Sequence, residues 1–435
     1  MGIRINRFVL LSLVVVFVCS FGYAKTETKK DETYQQLKIL LDVLNYTKEN
    51  YVEEVDTQKL IVSAIKGITK ALDPFSQFME PDTFKELKVE TEGQFGGLGI
   101  RIAIRDEWLT VITPLPGTPA YKAGILPGDK IVKIEGESTQ GITIEEAVKK
   151  LRGTPGTKVN ITIAREGVKD TIDYTITRDI IKIEVVKCKQ ELKDGIAYLA
   201  LYEFNSNSFS EMKKSLDDLQ KKGMKGLVLD LRNNPGGLLD QAVEISKLFI
   251  GGKKLIVYTE GRSSPRKEYR ASEHAPFEDI PMVVLVNGGS ASGAEILAGA
   301  LQDNKRAIIV GSQTFGKASV QSVITLDNGY GLKLTTAKYY TPSGRCIHRE
   351  EKISTKGSTT TYVGGIIPDI VIEVPKEIEA KLYQQREEVY YSDKGAVPAV
   401  KKEEQVEDVV LNRAYEILKA INIYSQNIGL QEKSK

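Results

Sequence analysis

Residues 286–301, VNGGSASGAEILAGAL, constrain the fold of this chain more than any other stretch of its sequence. An apolar run ends there in a turn of small residues, and apolar residues then recur at helical spacing. This pattern predicts a strand, a sharp turn and a helix, with Ser290 and Ser292 at the corner. Backbone N–H groups at the start of a helix lack partners within the helix. They can donate to a serine in a plain helix cap, or they can stabilise an oxyanion that forms beside it.

A lysine follows in residues 306–321, RAIIVGSQTFGKASVQ. Gly311, Gly316 and Lys317 have the spacing of a phosphate-binding loop, G-x-x-x-x-G-K, but Ala318 replaces the hydroxyl residue that would ligate magnesium. A phosphate loop also opens a helix, whereas the residues after Lys317 alternate as in a strand. A nucleotide-binding function is therefore the weakest interpretation, and Lys317 requires another chemistry.

Ser292 and Lys317 are a candidate nucleophile and base. A serine hydroxyl is a weak nucleophile until an adjacent base takes its proton. The chain has 2 histidines, His274 and His348, and neither lies in a catalytic context. A lysine can replace histidine if burial in an apolar pocket lowers its pKa from about 10.4 to about 7.

These residues, with Gln321 four positions after Lys317, resemble the carboxy-terminal processing peptidases, also called tail-specific proteases. The resemblance implies a Ser–Lys dyad formed by Ser292 and Lys317, with Gln321 orienting the lysine. Gly293 and Ala294 replace the small residues that more often follow the nucleophile in this family. The match extends from residue 34 to residue 372.

The resemblance implies an α/β, multidomain fold. It comprises a helical N-terminal segment, a β-rich PDZ-like domain and a mostly parallel α/β protease core of the crotonase/Clp-like type. Composition agrees with two or three globular domains, because 41% of the residues are hydrophobic and 27% are charged. The net charge of +2 gives no reason to expect a nucleic-acid partner. No metal or cofactor is implied.

Residues 1–24 have the pattern of a secretory signal. Arg4 and Arg7 precede an uncharged run that ends at Ala24, where cleavage is expected. An uncut segment would instead tether the protein to the membrane, although the run is short for a membrane span. Either outcome predicts export, to a bacterial periplasm or to the outer face of the cytoplasmic membrane.

Residues 34–89 are predicted to form helices that each keep one apolar face. The family often uses a similar segment for dimer contacts, which would make this protein a homo-oligomer. Simple packing of these faces on the core explains the pattern equally well.

Residues 90–181 resemble a PDZ domain. Its carboxylate-binding loop would contain Gly97, Leu98, Gly99 and Ile100, since consecutive N–H groups of a glycine turn can hold a chain-end carboxylate. We expect the groove between the strand at residues 100–104 and a helix at residues 143–151, which begins with a capping box. Arg152 ends that helix, either as a solvated charge or, as the resemblance suggests, as a regulatory residue that couples the PDZ domain to the active site.

Residues 187–374 form the predicted protease core. Residues 230–237, DLRNNPGG, join a strand to a helix, so their N–H groups can face an anion. By resemblance, Gly237 or Gly236 pairs with the N–H of Gly293 in the oxyanion hole, and Gly237 is the favoured choice. Strand–helix alternation predicts a mostly parallel sheet with the site at the strand ends. The loop at residues 346–364 departs from the family and its role is open.

Residues 376–435 are charged and are predicted to form surface helices at residues 381–389 and 407–421, which the family sometimes uses for oligomer contacts. Cys188 and Cys346 could pair outside the cytoplasm, although two distant cysteines do not establish a disulfide.

Together these features predict an exported serine endopeptidase that cleaves proteins near the C-terminus. Its partners would be protein or peptide substrates with free apolar C-termini, bound by the PDZ domain. The alternative is a catalytically inactive PDZ scaffold that only binds peptides. The intact Ser292, Lys317 and Gln321 favour the enzyme, because a scaffold has no need of all three.

Overall fold

The computed structural model describes residues 32–191, 193–353, 360–393 and 405–432. The chain divides into two compact units, Met1–Phe78 and Met79–Lys435. The predicted signal segment, residues 1–24, lies outside the described residues. Within the described ranges, no helix has both the length and the apolar character needed to span a membrane.

The first unit is helical, as its apolar periodicity predicts. It contains α1 (residues 32–50) and α2 (Thr57–Lys70), and strand β1 (Gln77–Met79) follows at the boundary between the units. Asp56 caps α2 by accepting hydrogen bonds from the backbone N–H groups of Gln58 and Lys59. The apolar side chains of α1 are largely exposed, among them Leu37 and Leu41.

The second unit begins with α3 (Pro81–Glu92), which leads into the β-rich module predicted as PDZ-like. Its elements are β2 (Gln94–Gly97), β3 (Ile100–Arg105), β4 (Trp108–Pro114), α4 (Pro119–Lys122), β5 (Lys130–Ile134), β6 (Glu137–Ser138), α5 (Ile144–Leu151), β7 (Lys158–Ala164), β8 (Ile172–Thr177) and β9 (Asp179–Lys182). The main sheet has the order β3-β4-β5-β7-β8, so β3 is an edge strand, while β2 pairs with β9. The predicted capping box at the start of α5 is present, between Thr143 and Glu146.

The core contains the two sheets that carry the site. Its elements are β10 (Val186–Glu191), β11 (Ile196–Leu201), α6 (Ser208–Lys221), β12 (Gly226–Asp230), α7 (Leu239–Lys247), β13 (Leu255–Glu260), β14 (Lys267–Arg270), β15 (Met282–Val286), α8 (Gly293–Asp303), β16 (Ile308–Gly311), β17 (Ser319–Thr325), β18 (Gly331–Tyr340), β19 (Glu350–Ile353), β20 (Thr360–Val363) and β21 (Ile370–Val371).

The larger sheet confirms the predicted parallel architecture. Its order is β10-β11-β12-β15-β16-β21, and every pair except β10–β11 is parallel. Strands β12 and β15 are buried along their whole length, which explains why they read as continuous apolar runs. In the smaller sheet, β18 pairs antiparallel with both β17 and β13.

Two helices are present in the C-terminal segment, as predicted: α9 spans Lys376–Asp393 and α10 spans Val409–Glu432. Most of their described side chains are exposed or half-buried, but α10 also has a buried face. Val410, Ala414 and Leu418 recur every four residues on α10 and are buried against the large sheet. This spacing gives the helix one apolar face, and the high charge of the whole segment obscured it.

The loop whose role was open, residues 346–364, contains the hairpin β19–β20. Residues 354–359 lie outside the described part. Cys346 is an exposed free thiol, and the side chain of Cys188 is not among those described.

Candidate active site

Ser292 caps α8 at the corner predicted from the sequence. Its φ of +52° lies in a region that residues with a side chain rarely adopt, and such strain is concentrated at functional sites. Ser290 has a different role. Its buried hydroxyl donates to the carbonyl of Leu231 at 2.8 Å and accepts from the N–H of Asn287 at 3.0 Å. Ser290 therefore fixes the turn, whereas Ser292 faces a cleft.

This cleft has a volume of about 360 Å³ and collects most of the predicted catalytic residues. Ser292, Lys317, Gln321, Gly236 and Gly237 all line it. Its walls also include Leu87, Glu90 and Thr91 of α3, Glu203, Phe204 and Asn205 after β11, Leu238, Leu239, Ile296, Val320 and Val323, and Lys333 and Tyr339 of β18. The walls are thus mainly apolar around a small polar centre, as is usual for a ligand site.

Lys317 is half-buried beside this centre. Burial lowers the pKa of its ammonium group below the usual 10.5, and the like charge of Lys333 lowers it further, while Glu295 acts in the opposite direction. Desolvation disfavours the charged form, so neutral Lys317 is reached at a lower pH than for a lysine in water.

Glu295 joins the serine turn to the lysine loop. Its fully buried carboxylate accepts from the N–H groups of Ser292 and Lys317, both at 2.9 Å, through Oε2. Through Oε1 it accepts from the Thr314 hydroxyl at 2.5 Å and from the N–H of Gly316 at 2.7 Å. Burial raises the pKa of Glu295, and these four hydrogen bonds oppose that effect.

Tyr339 forms a second tie between the same two segments. Its hydroxyl donates to the carbonyl of Lys317 and lies 3.2 Å from that of Ser292. Sequence reasoning missed the roles of Tyr339 and Glu295. For Glu295 a signal existed, since Ser292 and Glu295 have the S-x-x-E spacing of a capping box.

The glycine loop was predicted to contribute an amide to an oxyanion hole. The N–H of Gly236 donates to Asn234 Oδ1 at 2.8 Å and is therefore occupied. Within the described residues, the N–H groups of Gly237 and Gly293 have no protein acceptor. A Cβ placed on Gly293 would lie 3.5 Å from the nitrogen of Gly237, so the two amides are neighbours. This geometry favours Gly237 over Gly236.

Gly237 also has a steric reason to be glycine. Its φ is +139°, and a Cβ there would collide with the carbonyl oxygen of Phe204.

The predicted carboxylate loop of the β-rich module precedes edge strand β3. The carbonyls of Leu98 and Gly99 accept from the N–H groups of Ala120 and Leu115, at 3.0 and 2.8 Å. Among the described residues, the N–H groups of Leu98 and Gly99 have no protein acceptor. Ile100 begins β3, and the half-buried Val148 lies on α5, which packs beside that strand. Peptide recognition by strand addition uses elements of this kind, namely an edge strand and nearby backbone amides without acceptors.

Arg152 ends α5 and lies beside this loop, near Gly97. Its guanidinium stacks over the ring of Phe95 at 4.3 Å from the centroid. The described residues that line the cleft do not include it. Its regulatory role stays a hypothesis, and its aromatic contact distinguishes it from a purely solvated charge.

The structure gives no support to the nucleotide interpretation. Lys317 leads into strand β17, whereas a phosphate-binding lysine opens a helix. His274 is exposed and does not line the cleft. In the part of the chain that the structure describes, no group of His, Cys, Asp and Glu residues could hold a metal ion.

Models of three known protein families match successive parts of this chain. A model of peptidase family S41 matches residues 195–372, a PDZ domain model matches residues 110–165, and a model of the activating protease CtpB N-terminal domain matches residues 20–83. A carboxy-terminal-processing protease of Bartonella bacilliformis is 40% identical over 414 residues, covering 91% of this chain and 91% of the relative. One from a Synechocystis species is 34% identical, covering 86% and 90%. A solved structure of the photosystem II D1 C-terminal processing protease is 30% identical and covers 77% of this chain and 92% of its own, with a TM-score of 0.43.

Proposed function

Because this chain belongs to the S41 family of carboxy-terminal processing proteases and is a serine-type peptidase, we propose that it is an exported endopeptidase with a Ser–Lys dyad that holds its substrate by the C-terminal tail. The proposal rests on one observation. Ser292, Lys317 and Gln321 line a single cleft, beside the unoccupied amides of Gly237 and Gly293 in the described structure. A catalytically inactive scaffold would not require this convergence.

The proposed reaction begins with neutral Lys317. It takes the proton of the Ser292 hydroxyl while the oxygen attacks the scissile carbonyl. The amides of Gly237 and Gly293 stabilise the resulting oxyanion. Protonated Lys317 then gives its proton to the leaving amine, the peptide bond breaks, and an acyl-enzyme forms on Ser292.

Deacylation repeats these roles with water. Lys317 takes a proton from water, whose oxygen attacks the acyl carbon. The second tetrahedral intermediate collapses, Lys317 returns its proton to Ser292, and the product leaves as a carboxylic acid that then loses its own proton to the solvent. Gln321 holds Lys317 in position in both halves of the reaction.

Tail recognition is assigned to the β-rich module. We propose that an extended C-terminal segment pairs with edge strand β3, its carboxylate on the N–H groups of Leu98 and Gly99. Its last side chain enters the groove beside Val148. The support for this is the unoccupied loop amides and the free edge of β3 within the described module.

A peptide that ends in a free apolar residue should be cleaved with a higher kcat/KM than the same peptide amidated at its C-terminus. We expect a difference of about 10- to 100-fold, because amidation removes a charge-assisted hydrogen-bond acceptor. A peptide ending in Asp should be similarly poor, since its side-chain carboxylate would be desolvated in the groove. Cleavage is measured by mass spectrometry.

Binding of the same peptides to Ser292→Ala protein separates recognition from chemistry. The free acid should bind more tightly than the amide, in the same ratio as kcat/KM. Equal kcat/KM values for acid and amide would contradict tail recognition. Selective binding by the wild-type protein without cleavage of any peptide would support the scaffold alternative instead.

The exported protein should begin after Ala24 if the signal is cut. N-terminal sequencing of the native protein, purified separately from membrane and soluble extracytoplasmic fractions, tests this. An intact N-terminus in the membrane fraction would indicate a tether. A chain that starts at Met1 in a cytosolic fraction would refute export.

A further inference from the structure

A cluster of four largely buried charged side chains connects the C-terminal helices to the core. Asp230 ends β12 and is fully buried, and Arg232 two residues later is 6% exposed. Arg386 of α9 and Asp408, just before α10, complete the cluster at 13% and 15% exposure. Two guanidinium groups face two carboxylates, so the charges of the cluster balance.

The contacts within this cluster are short and directional. Arg232 donates to Asp230 Oδ2 at 2.7 Å and reaches both oxygens of Asp408, at 2.8 and 2.9 Å. Arg386 and Tyr198 each donate to Asp230 Oδ2 at 2.7 Å. Burial alone would raise the pKa of Asp230, but the two arginines hold it well below its usual range. Asp408 balances the positive charge of Arg232 on the side of the guanidinium group that faces away from Asp230.

This cluster lies where the glycine loop begins, directly after β12. Arg232 directly precedes Asn233, whose N–H donates to Asn287 Oδ1 at 2.9 Å, while Asn287 Nδ2 donates back to Asn233 Oδ1 at 2.9 Å. Asn287 Nδ2 also lies 3.3 Å from Oε1 of Glu379 on α9. The C-terminal segment thus contacts both the glycine loop and the serine turn.

A small displacement at the start of the glycine loop would also move the Gly237 amide relative to Ser292. The N–H of Ala291 donates to the carbonyl of Asn234 at 2.9 Å. A Cβ on Gly236 would lie 2.6 Å from that of Ser292, so the loop and the turn are in direct contact. Since close-packed elements transmit displacement, the alignment of the Gly237 amide with Ser292 depends on where Arg232 is held.

We propose that Asp408 is a positioning residue for catalysis, which acts through Arg232 to hold the oxyanion amide of Gly237 against Ser292. The C-terminal segment is then part of the catalytic apparatus. This inference rests on the proposed function of the cleft, and it adds a residue that lies outside the cleft.

Asp408→Asn isolates this role. Asp408 Oδ1 also accepts from the N–H of Leu411 and so caps α10, and asparagine caps a helix as well as aspartate does. The substitution keeps the cap but turns an NH₂ group toward Arg232. Glu407→Gln is the matched control, because it makes the same chemical change at an exposed residue whose hydrogen bond, among the described residues, is to Asn412 and not to the cluster.

The experiment measures kcat per competent site on the free-acid tailed peptide. Competent sites are counted by labelling Ser292 with a fluorophosphonate. We expect Asp408→Asn to lower the per-site kcat about 10- to 100-fold with KM unchanged, since small misplacement of catalytic groups costs that much. Glu407→Gln should match the wild type. A merely structural role would lower the labelled fraction and leave the per-site kcat unchanged.

A second variant keeps the test decisive if Asp408→Asn does not fold. Glu379→Ala removes the contact to Asn287 without leaving a buried charge unpaired, and should lower the per-site kcat about threefold. Unchanged per-site kcat in every folded variant would overturn the inference alone. Wild-type protein that neither labels nor cleaves would overturn the proposed function and this inference with it.

Discussion

Replacing Lys317 by methionine should abolish peptide-bond cleavage and at the same time stabilise the folded protein. Methionine keeps an unbranched side chain but has no basic nitrogen. Without a base, the Ser292 hydroxyl is not activated, and we expect kcat to fall by about 10⁴-fold or more. The stability gain follows from removing a half-buried cation that Lys333 also repels. Peptide cleavage and the thermal unfolding midpoint measure the two effects.

The sign of the stability change fixes its pH dependence. The lowered pKa means that folded Lys317 binds its proton less tightly than the unfolded chain, whose lysine titrates near 10.5. The cost of the buried charge is therefore complete below the folded pKa and disappears as pH rises toward the unfolded value. The advantage of Lys317→Met should be larger at about pH 6 than at about pH 10.5. The activity of the wild type should rise with pH through an apparent pKa below that of free lysine.

Ser292→Ala and Gln321→Ala complete this comparison. Ser292→Ala should be as inactive as Lys317→Met, and the double variant no worse than either, because residues that act as a unit are not additive. Gln321→Ala should impair cleavage without abolishing it, since both reacting groups remain. Full cleavage by Ser292→Ala would rule out the dyad. An activity profile that still climbs at the pKa of free lysine would show that Lys317 is not the desolvated base.

The parts of this site that the sequence predicted are those encoded locally. The corner at Ser292 follows from a buried strand, small residues and a helical apolar face within 16 residues. The capping box at Thr143 and Glu146 needs only three residues of spacing. The parallel order of the large sheet follows from strand–helix alternation, because parallel strands require crossover connections. Each of these features depends on neighbours in the chain.

The parts that the sequence did not predict depend on contacts between distant residues. Asp408 meets Arg232 across 176 positions, and no periodicity marks either residue as the other's partner. A charged segment is usually a solvated one, so the sequence analysis did not recognise that α10 also has a buried face. Its apolar residues at steps of four carried the correct signal, and giving that spacing more weight than the overall charge would have found it.

Glu295→Gln should cause the second large loss of activity, although Glu295 is not proposed to react. Each of its carboxylate oxygens accepts two hydrogen bonds. A glutamine must turn its NH₂ group toward one of these pairs, where an N–H of the backbone would face a donor instead of an acceptor. We expect a loss of about 1–3 kcal/mol in stability. We expect a fall in kcat of about 100-fold, because the same carboxylate fixes both Ser292 and Lys317. Unfolding and steady-state kinetics measure these effects.

The pH profile distinguishes positioning by Glu295 from general damage to the fold. The negative charge of Glu295 raises the pKa of Lys317, against the larger lowering by burial. Neutralising it should therefore move the rising limb of the activity profile to lower pH, in addition to lowering the plateau. Glu166→Gln makes the same chemical change at an exposed position and should alter neither limb nor plateau. A lowered plateau with an unmoved limb would mean that the carboxylate supports the turn but does not influence the base. A plateau equal to that of the wild type would mean that the hydrogen bonds of Glu295 are not needed to align Ser292 with Lys317.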